Sequence, residues 1–293
     1  MTPASRDDAW TVRVSVPAAE VDLVADALFR AGAAAVEERP PVGVGSPVVL
    51  VAGPPPGGDV EPLLAAVAGR WPADLVAVDL GAALDAWRDH ARPVRAGRLV
   101  VRPPWVAADP SSGVAGAVEV VIDPGRAFGS GAHSSTRLAL TTLSDLVRGG
   151  EAVLDVGCGS GVLAIAALRL GAASAVGIDL DPAAVAATRA NAERNGEGGR
   201  LTVVEGDAAA SPGLPARAFD IVVANLLAPD LVAAAPTVAH ALAPDGAAVL
   251  AGILTEQAPG VEDACRAVGL DRAADPRTED GWVALVVAAS RRG

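Results

Sequence analysis

Thr11-Val12-Arg13-Val14-Ser15-Val16 alternates polar and apolar with period two, which predicts a strand with one buried face. Glu20 to Ala31 then carries apolar residues at helical spacing and ends at Gly32. Ala33 to Glu37 and Pro47 to Ala52 predict two further strands around a Pro/Gly-rich loop, Val60 to Ala68 a second helix, and Leu75 to Leu80 a fourth strand. The order β-α-β-β-α-β is the ferredoxin-like split unit and predicts a small α+β domain over residues 1–83. Leu84 to His90 reads as a short connecting helix. Pro93, Pro103 and Pro104 punctuate the next stretch, so residues 84–117 are expected to form a linker region.

Beyond residue 117 the rhythm changes to strands alternating with helices. Strand Val118 to Ile122, a glycine-rich loop from Asp123 to Gly131 and a helix over 134–146 come first. Strands are then expected at 152–156, 175–178, 201–205, 219–224 and 247–251, and helices at 162–170, 183–195, 230–242 and 257–268. A final pair of strands near 270–278 and 282–288 has no helix between them. This pattern predicts an α/β domain over 118–293, a doubly wound (Rossmann-like) parallel sheet closed by an antiparallel hairpin edge.

Composition narrows the function classes. The 293 residues are 51% hydrophobic and 20% charged, a globular balance, and suffice for two domains with real cores. A net charge of −12 argues against a chain whose main work is gripping nucleic acid. The arginine run Arg88, Arg92, Arg95, Arg98, Arg102 reads as a solvated linker face, with an anionic partner as the alternative. The two cysteines have no C-x-x-C spacing and the three histidines are scattered, so neither a disulfide framework nor a metal cluster is indicated. Met1 to Trp10 lacks the basic and apolar regions of a secretory signal, and no apolar run reaches bilayer length. A soluble cytoplasmic protein is expected.

The chemistry centres on Val153-Leu154-Asp155-Val156-Gly157-Cys158-Gly159-Ser160-Gly161, which reads as strand, glycine turn and helix. Glycines at every second position let a ligand lie against bare backbone. The spacing is G-x-G-x-G rather than the dinucleotide G-x-G-x-x-G, and it is the form associated with S-adenosylmethionine, which has no phosphate to place on a helix N-terminus. Asp179 ends the next strand, about 20 residues on, where a ribose diol is held in such folds. Asp181 directly precedes Pro182 and a helical run, so it is assigned to the helix cap. Three more stretches should lie near the strand ends. Glu205-Gly206-Asp207 offers an acid for an adenine amino group or a helix cap. Asn225-Leu226-Leu227-Ala228 follows a buried strand in a chain with only three Asn. Asp123 to Thr136 reads as a flap over a ligand or as a long surface loop.

Asp155 to Gly161, the Phe128-Gly129-Ser130-Gly131-Ala132-His133 pattern through Thr136, and Asn225 to Ala228 resemble the bacterial ribosomal protein L-eleven methyltransferase family in order and spacing. The similarity runs from Asp85-Ala86-Trp87-Arg88 and Pro103-Pro104-Trp105 through Gly252-Ile253-Leu254 to Trp282, roughly residues 84 to 288. The family usually has Pro-Thr-Thr after the histidine, where this chain has Ser134-Ser135-Thr136 and keeps the last Thr.

The resemblance implies a seven-stranded methyltransferase domain preceded by a ferredoxin-like domain that binds the ribosomal protein, free or on the ribosome. It implies N-methylation of lysine side chains or the N-terminal amine with S-adenosylmethionine. Carried over by position, cofactor contacts come from Thr136, Gly157 and Gly159 of the glycine loop, Asp179 and Asn225, and the Asn225 side-chain oxygen, with the Leu226 carbonyl, is expected to direct the attacking amine. Two alternatives stay open: a methyltransferase of this fold with another protein or small-molecule substrate, and a non-catalytic adenosyl-ligand module.

Overall fold

The alternation at the start of the chain becomes β1 (Ala9–Val16), in which Val12, Val14 and Val16 are fully buried. The computed structural model describes residues 9–17, 20–33, 35–39, 46–54, 58–78, 91–107, 116–123, 129–207 and 213–290, and the chain divides into two units, Met1–His90 and Ala91–Gly293.

In the first unit, β1 is followed by α1 (Val21–Arg30), β2 (Ala35–Arg39), β3 (Val48–Gly53), α2 (Glu61–Val67) and β4 (Ala73–Val78). The sheet is antiparallel in the order β2-β3-β1-β4, the ferredoxin-like topology the pattern predicts. Val24 and Leu28 of α1 and Leu63 and Val67 of α2 pack with the inward residues of β1 and β3 into one apolar core. The Trp71 indole N–H reaches the Glu20 carboxylate at 2.7 Å, so its polar edge is satisfied beside that core. The expected helix over 84–90 lies outside the described residues.

The second unit begins earlier than the expected linker allows. β5 (Val94–Ala96) and β6 (Leu99–Arg102) form a hairpin about Gly97, and β6 pairs in parallel with β7 (Val118–Val121). Gly97 has φ +58, and a Cβ there would lie 2.2 Å from the Ser144 hydroxyl oxygen, so the turn requires glycine. Arg98, read as part of a solvated face, instead donates from Nε to the Ser144 carbonyl at 3.1 Å and from Nη2 to the Val147 carbonyl at 3.1 Å. It thereby satisfies the last carbonyls of α3 (Ser134–Leu146). Arg102 pairs with Glu119 of β7 and donates to the Val106 carbonyl. These strands escape the sequence reading because each is three or four residues long and sits between prolines.

The main sheet contains β8 (Ala152–Val156), β9 (Ser174–Asp179), β10 (Leu201–Glu205), β11 (Phe219–Asn225), β12 (Leu242–Leu254), β13 (Leu270–Arg272), β14 (Arg277–Glu279) and β15 (Trp282–Ala289). Its order is β10-β9-β8-β11-β12-β15-β13, with β14 also on β15. The first five are parallel and β15 runs antiparallel to β12. The connecting helices are α4 (Val162–Leu170), α5 (Pro182–Arg194), α6 (Ala228–Ala241) and α7 (Ala258–Ala267). Three strands replace the expected closing pair, and β15 lies inside the sheet, between β12 and β13, rather than at its edge. Val153 and Val223 face a core with α3 and α4, whereas Leu154 and Val222 face a core with α6 and α7. Burial on both faces explains the continuous apolar runs of β8 and β11. No helix among the described residues is long and apolar enough to cross a membrane. Strand order reverses between β8 and β11, and ligands in such sheets sit beyond the strand ends at that point.

Arg98→Ala is expected to lower stability by about 1 kcal/mol, the loss of a side chain bonded to C-terminal helix carbonyls. Thermal unfolding that matches wild type would return Arg98 to a solvated role.

Candidate cofactor and amine site

Gly157, Gly159 and Gly161 have φ of +73, +55 and +81, values an L side chain rarely adopts, so the turn after β8 depends on glycine. The loop is tied to its neighbour strand by the Gly157 and Cys158 amides, which both donate to the Ile178 carbonyl, at 2.8 and 3.0 Å. Asp179 completes the link. Its Oδ2 accepts the Gly159 N–H at 2.8 Å and its Oδ1 accepts the Asp181 N–H at 2.9 Å. Each oxygen of an ionised carboxylate has a further lone pair, so Asp179 can bind the loop and a ligand hydroxyl together. The Asp181 side chain accepts from the Ala183 N–H at 2.8 Å ahead of α5, with Pro182 in the first turn, and is a helix cap.

Beneath the loop lies Asp155, 1% exposed. Its Oδ2 accepts the Ala164 N–H at 3.0 Å in the first turn of α4, and its Oδ1 has no hydrogen-bond partner among the described residues. Burial pushes its carboxyl up to about 7; the bond to Ala164 opposes this and the charge of Asp179 adds to it. The helix N-terminus that would receive a pyrophosphate in a dinucleotide fold is therefore taken by a carboxylate of the chain itself. A helix N-terminus whose amide is already satisfied within the chain fits a phosphate-free ligand. Cys158 is no nucleophile here, because burial, with Asp155 adding to it, pushes its thiol up to about 12.

Asn225 ends β11 beside the loop. Its side-chain nitrogen donates to the Thr136 hydroxyl at 3.1 Å, joining residues 89 apart in sequence. Gly252 of β12 (φ +83) allows this close packing: a Cβ there would fall 2.2 Å from the Leu226 carbonyl oxygen and 3.1 Å from Asn225 Oδ1. The Leu226 side chain covers Gly157, where a Cβ would meet Cδ2 at 2.3 Å.

The loop before α3 is anchored at both ends. Ser160 in the glycine turn donates to the Gly129 carbonyl at 2.6 Å. Asn191 of α5, fully buried, accepts the Asp123 N–H at 3.0 Å and donates to the Asp123 and Ser160 carbonyls at 2.9 Å. Asn195 makes a matching two-way pair with Val121. Residues 124–128, including Arg126 and Phe128, lie outside the described residues. His133 caps α3, contacts Ser135, and stands edge-on to Trp282 at 4.8 Å between ring centroids. Burial, and secondarily the charge of Arg137, lowers its pKa, so it is neutral at physiological pH. Arg137 pairs with Glu279 and Asp280, joining α3 to the β14–β15 turn.

Thr136, Gly157, Gly159, Asp179 and Asn225 thus lie at the C-terminal ends of β8, β9 and β11 or bond to a residue there. Gly206 joins them through its N–H to the Asp179 carbonyl at 2.9 Å, which brings Glu205 and Asp207 to the end of β9. The sequence reading missed Asn191, Ser160 and the orphaned oxygen of Asp155. The rarity that drew attention to Asn225 applied equally to Asn191 and Asn195.

A carboxyl whose pKa is raised on folding favours the folded state in its neutral form. The contribution of Asp155 is full below the ordinary carboxylate range and is lost as pH rises from about 4 through about 7. Asp155→Asn keeps an acceptor for Ala164 and cannot ionise, so its stability relative to wild type should improve steadily between those pH values. A difference that does not change with pH in denaturant titrations would contradict this reading.

Residues 78–290 match the family described as ribosomal protein L11 methyltransferase (PrmA). A relative named ribosomal protein L11 methyltransferase in Pelotomaculum thermopropionicum is 47% identical over 69% of this chain, although the match spans only 63% of that protein's length. The relatives of the same name in Chromohalobacter salexigens and Thermus thermophilus are 41% and 44% identical, over 78% and 69% of this chain and 77% and 75% of their own. The crystal structure of a ribosomal protein L11 methylase from Lactobacillus delbrueckii subsp. bulgaricus superposes with a TM-score of 0.62 at 28% identity, over 68% of this chain and all of that one. The chain belongs to the ribosomal protein L11 methyltransferase family.

Proposed function

We propose that the chain is an S-adenosylmethionine-dependent protein N-methyltransferase acting in the cytoplasm on amino groups of ribosomal protein L11, lysine side chains or the N-terminal amine, with the protein free or on the ribosome. The observation that carries the reading is the Asn225 amide: its nitrogen is committed to Thr136 at 3.1 Å beside the glycine loop, and its oxygen remains the acceptor at the strand end.

The residues fit the cofactor. Gly159 offers bare backbone beside Gly157, against which Leu226 packs, Asp179 has lone pairs for the ribose hydroxyls, and Thr136 holds Asn225 in place. Glu205 and Asp207 stand by for the adenine amino group, while Leu180 and Val204, 66% and 43% exposed, offer apolar surface beside Asp179. When bound, S-adenosylmethionine supplies an electrophilic sulfonium methyl group.

The protein's part is to present a neutral amine in line with that group. A free lysine has a pKa near 10.4 and attacks only after losing a proton. Approach to the strand end beside Leu226 and Leu227 removes water from the ammonium and favours the neutral form. The Asn225 oxygen then accepts one amine N–H, which fixes the direction of the lone pair. This role distinguishes a transferase from a module that only binds the cofactor. The unit Met1–His90 serves as the reader of the protein substrate, and no nucleic acid takes part in its recognition.

Asp179→Ala should weaken cofactor binding by about 1.5–3 kcal/mol, the range for a charge-assisted hydrogen bond. Unchanged calorimetric affinity in a folded variant would leave Asp179 with the glycine loop alone. Asn225→Ala should lower kcat on purified L11 by a much larger factor than it lowers cofactor affinity, the pattern of an interaction made in the transition state. Turnover equal to wild type would sink the assignment.

A further inference from the structure

The turn after β11 leaves one large apolar side chain in water. Leu226 packs on Gly157, and its N–H donates to the Ala251 carbonyl at 3.1 Å, so it continues the pairing of β11 with β12. Ala228, the first residue of α6, is buried. Between them Leu227 is 63% exposed.

The helix does not account for this leucine. Leu227 holds the cap position of α6 in extended backbone, with φ −64 and ψ 151, and its side chain makes no cap bond. Ser, Thr, Asp and Asn are favoured there, and leucine is among the poorest choices. Two neighbouring helices follow the rule, since the His133 side chain caps α3 and the Asp181 side chain caps α5. At α6 the Asp230 and Leu231 N–H groups both reach the Leu227 carbonyl at 3.0 Å, and Pro229 has no N–H to satisfy, so the backbone starts the helix alone. A leucine that is unfavourable both as a cap and in water breaks two local rules at once, and such breaks concentrate at functional sites.

The position of Leu227 is beside the amine acceptor. Asn225 bonds to Thr136 of α3, whereas Leu226 packs with the core of α6 and α7 on the other face of the sheet. Alternation along this extended stretch returns Leu227 to the side of Asn225, and two residues of extended chain span about 7 Å. We propose that Leu227 is a positioning and specificity residue: it supports the methylene stem of a lysine whose amine is held by the Asn225 oxygen, and so favours lysine side chains over an N-terminal amine. The inference rests on the protein-amine reading above and separates the two amine classes that reading leaves together. Lysine lays its stem along apolar surface while its nitrogen keeps a polar partner. Contact between stem and leucine takes apolar area of both out of water and brings the nitrogen to Asn225 with less water around it. An N-terminal amine is attached directly to the backbone and has no stem to lay on the leucine, and its neighbouring peptide group is polar and gains nothing there.

The test uses the full chain with purified L11 and methyl-labelled S-adenosylmethionine, with label assigned to lysine side chains or to the N-terminal amine by mass spectrometry. Leu227→Ser should lower kcat/KM at lysine roughly 5- to 20-fold, the loss of apolar contact with the stem. Transfer to the N-terminal amine and calorimetric cofactor affinity should match wild type, and thermal unfolding should not fall, because serine is a favoured cap. Leu227→Met keeps the apolar area and should retain lysine transfer. Val232→Ala, at a residue 43% exposed on the same helix and farther along the chain from Asn225, should match wild type at every amine. Unchanged lysine transfer by Leu227→Ser, or an equal fall at both classes of amine, would overturn the proposal. If the wild-type chain labels no amine of L11, the substrate reading falls. The same comparison on whichever ribosomal protein does take label then decides the role of Leu227, and transfer to no lysine of any protein overturns it too.

Discussion

The hydrogen bond from the Gly159 amide to Asp179 joins the two elements on which the site depends. It fixes a turn of three positive-φ glycines against the end of the neighbouring strand. The two acids around the turn then bear on the choice of ligand. Asp155 occupies the first turn of α4 from below and Asp179 holds the loop from the side, so the helix N-terminus a phosphate would take already has its acceptor. The same geometry makes Asp155 a liability at high pH, since a buried carboxylate with one unpartnered oxygen is costly to ionise.

Around this centre, distant segments set the position of Asn225. Asn225 depends on Thr136 in α3, and α3 is held at one end by Arg98 and at the other by Arg137 with Glu279 and Asp280. Gly252 admits the Asn225–Leu226 backbone, and Asn191 and Ser160 pin the loop ahead of α3. Precision at the strand ends therefore comes from contacts across the whole second unit. Among the described residues the first unit has none of these contacts and a core of its own.

Much of this was legible in the sequence where the signal is local. The period-two and helical patterns located β8, α3, α4 and β10 to the residue, and the Asp181-Pro182 pair identified a cap by its own chemistry. The glycine spacing and Asp179 marked the turn and the strand end that one hydrogen bond joins, because their roles in the fold follow from their place in the chain. What was not legible depends on partners far along the sequence. β5 and β6 are too short to show periodicity and exist through pairing with β7 and packing on α3. Arg98 looked like one of a solvated run because its carbonyl partners lie 46 and 49 residues away. Asn191 sits within a helical pattern that gives no hint of its bonds to Asp123. β15 entered the sheet between β12 and β13 because strand order is set by packing of both faces, which a run of apolar residues does not encode.

The central claim is that the cradle of Gly157, Gly159, Asp179 and Asn225 serves methyl transfer to amino groups of one ribosomal protein. The most direct measurement is to incubate the full chain with methyl-labelled S-adenosylmethionine and the total protein extracted from ribosomes, and to locate the label by mass spectrometry. The expected result is label concentrated in L11, on lysine side chains or its N-terminal amine. Label on another protein, or on no protein while the cofactor still binds, would contradict it.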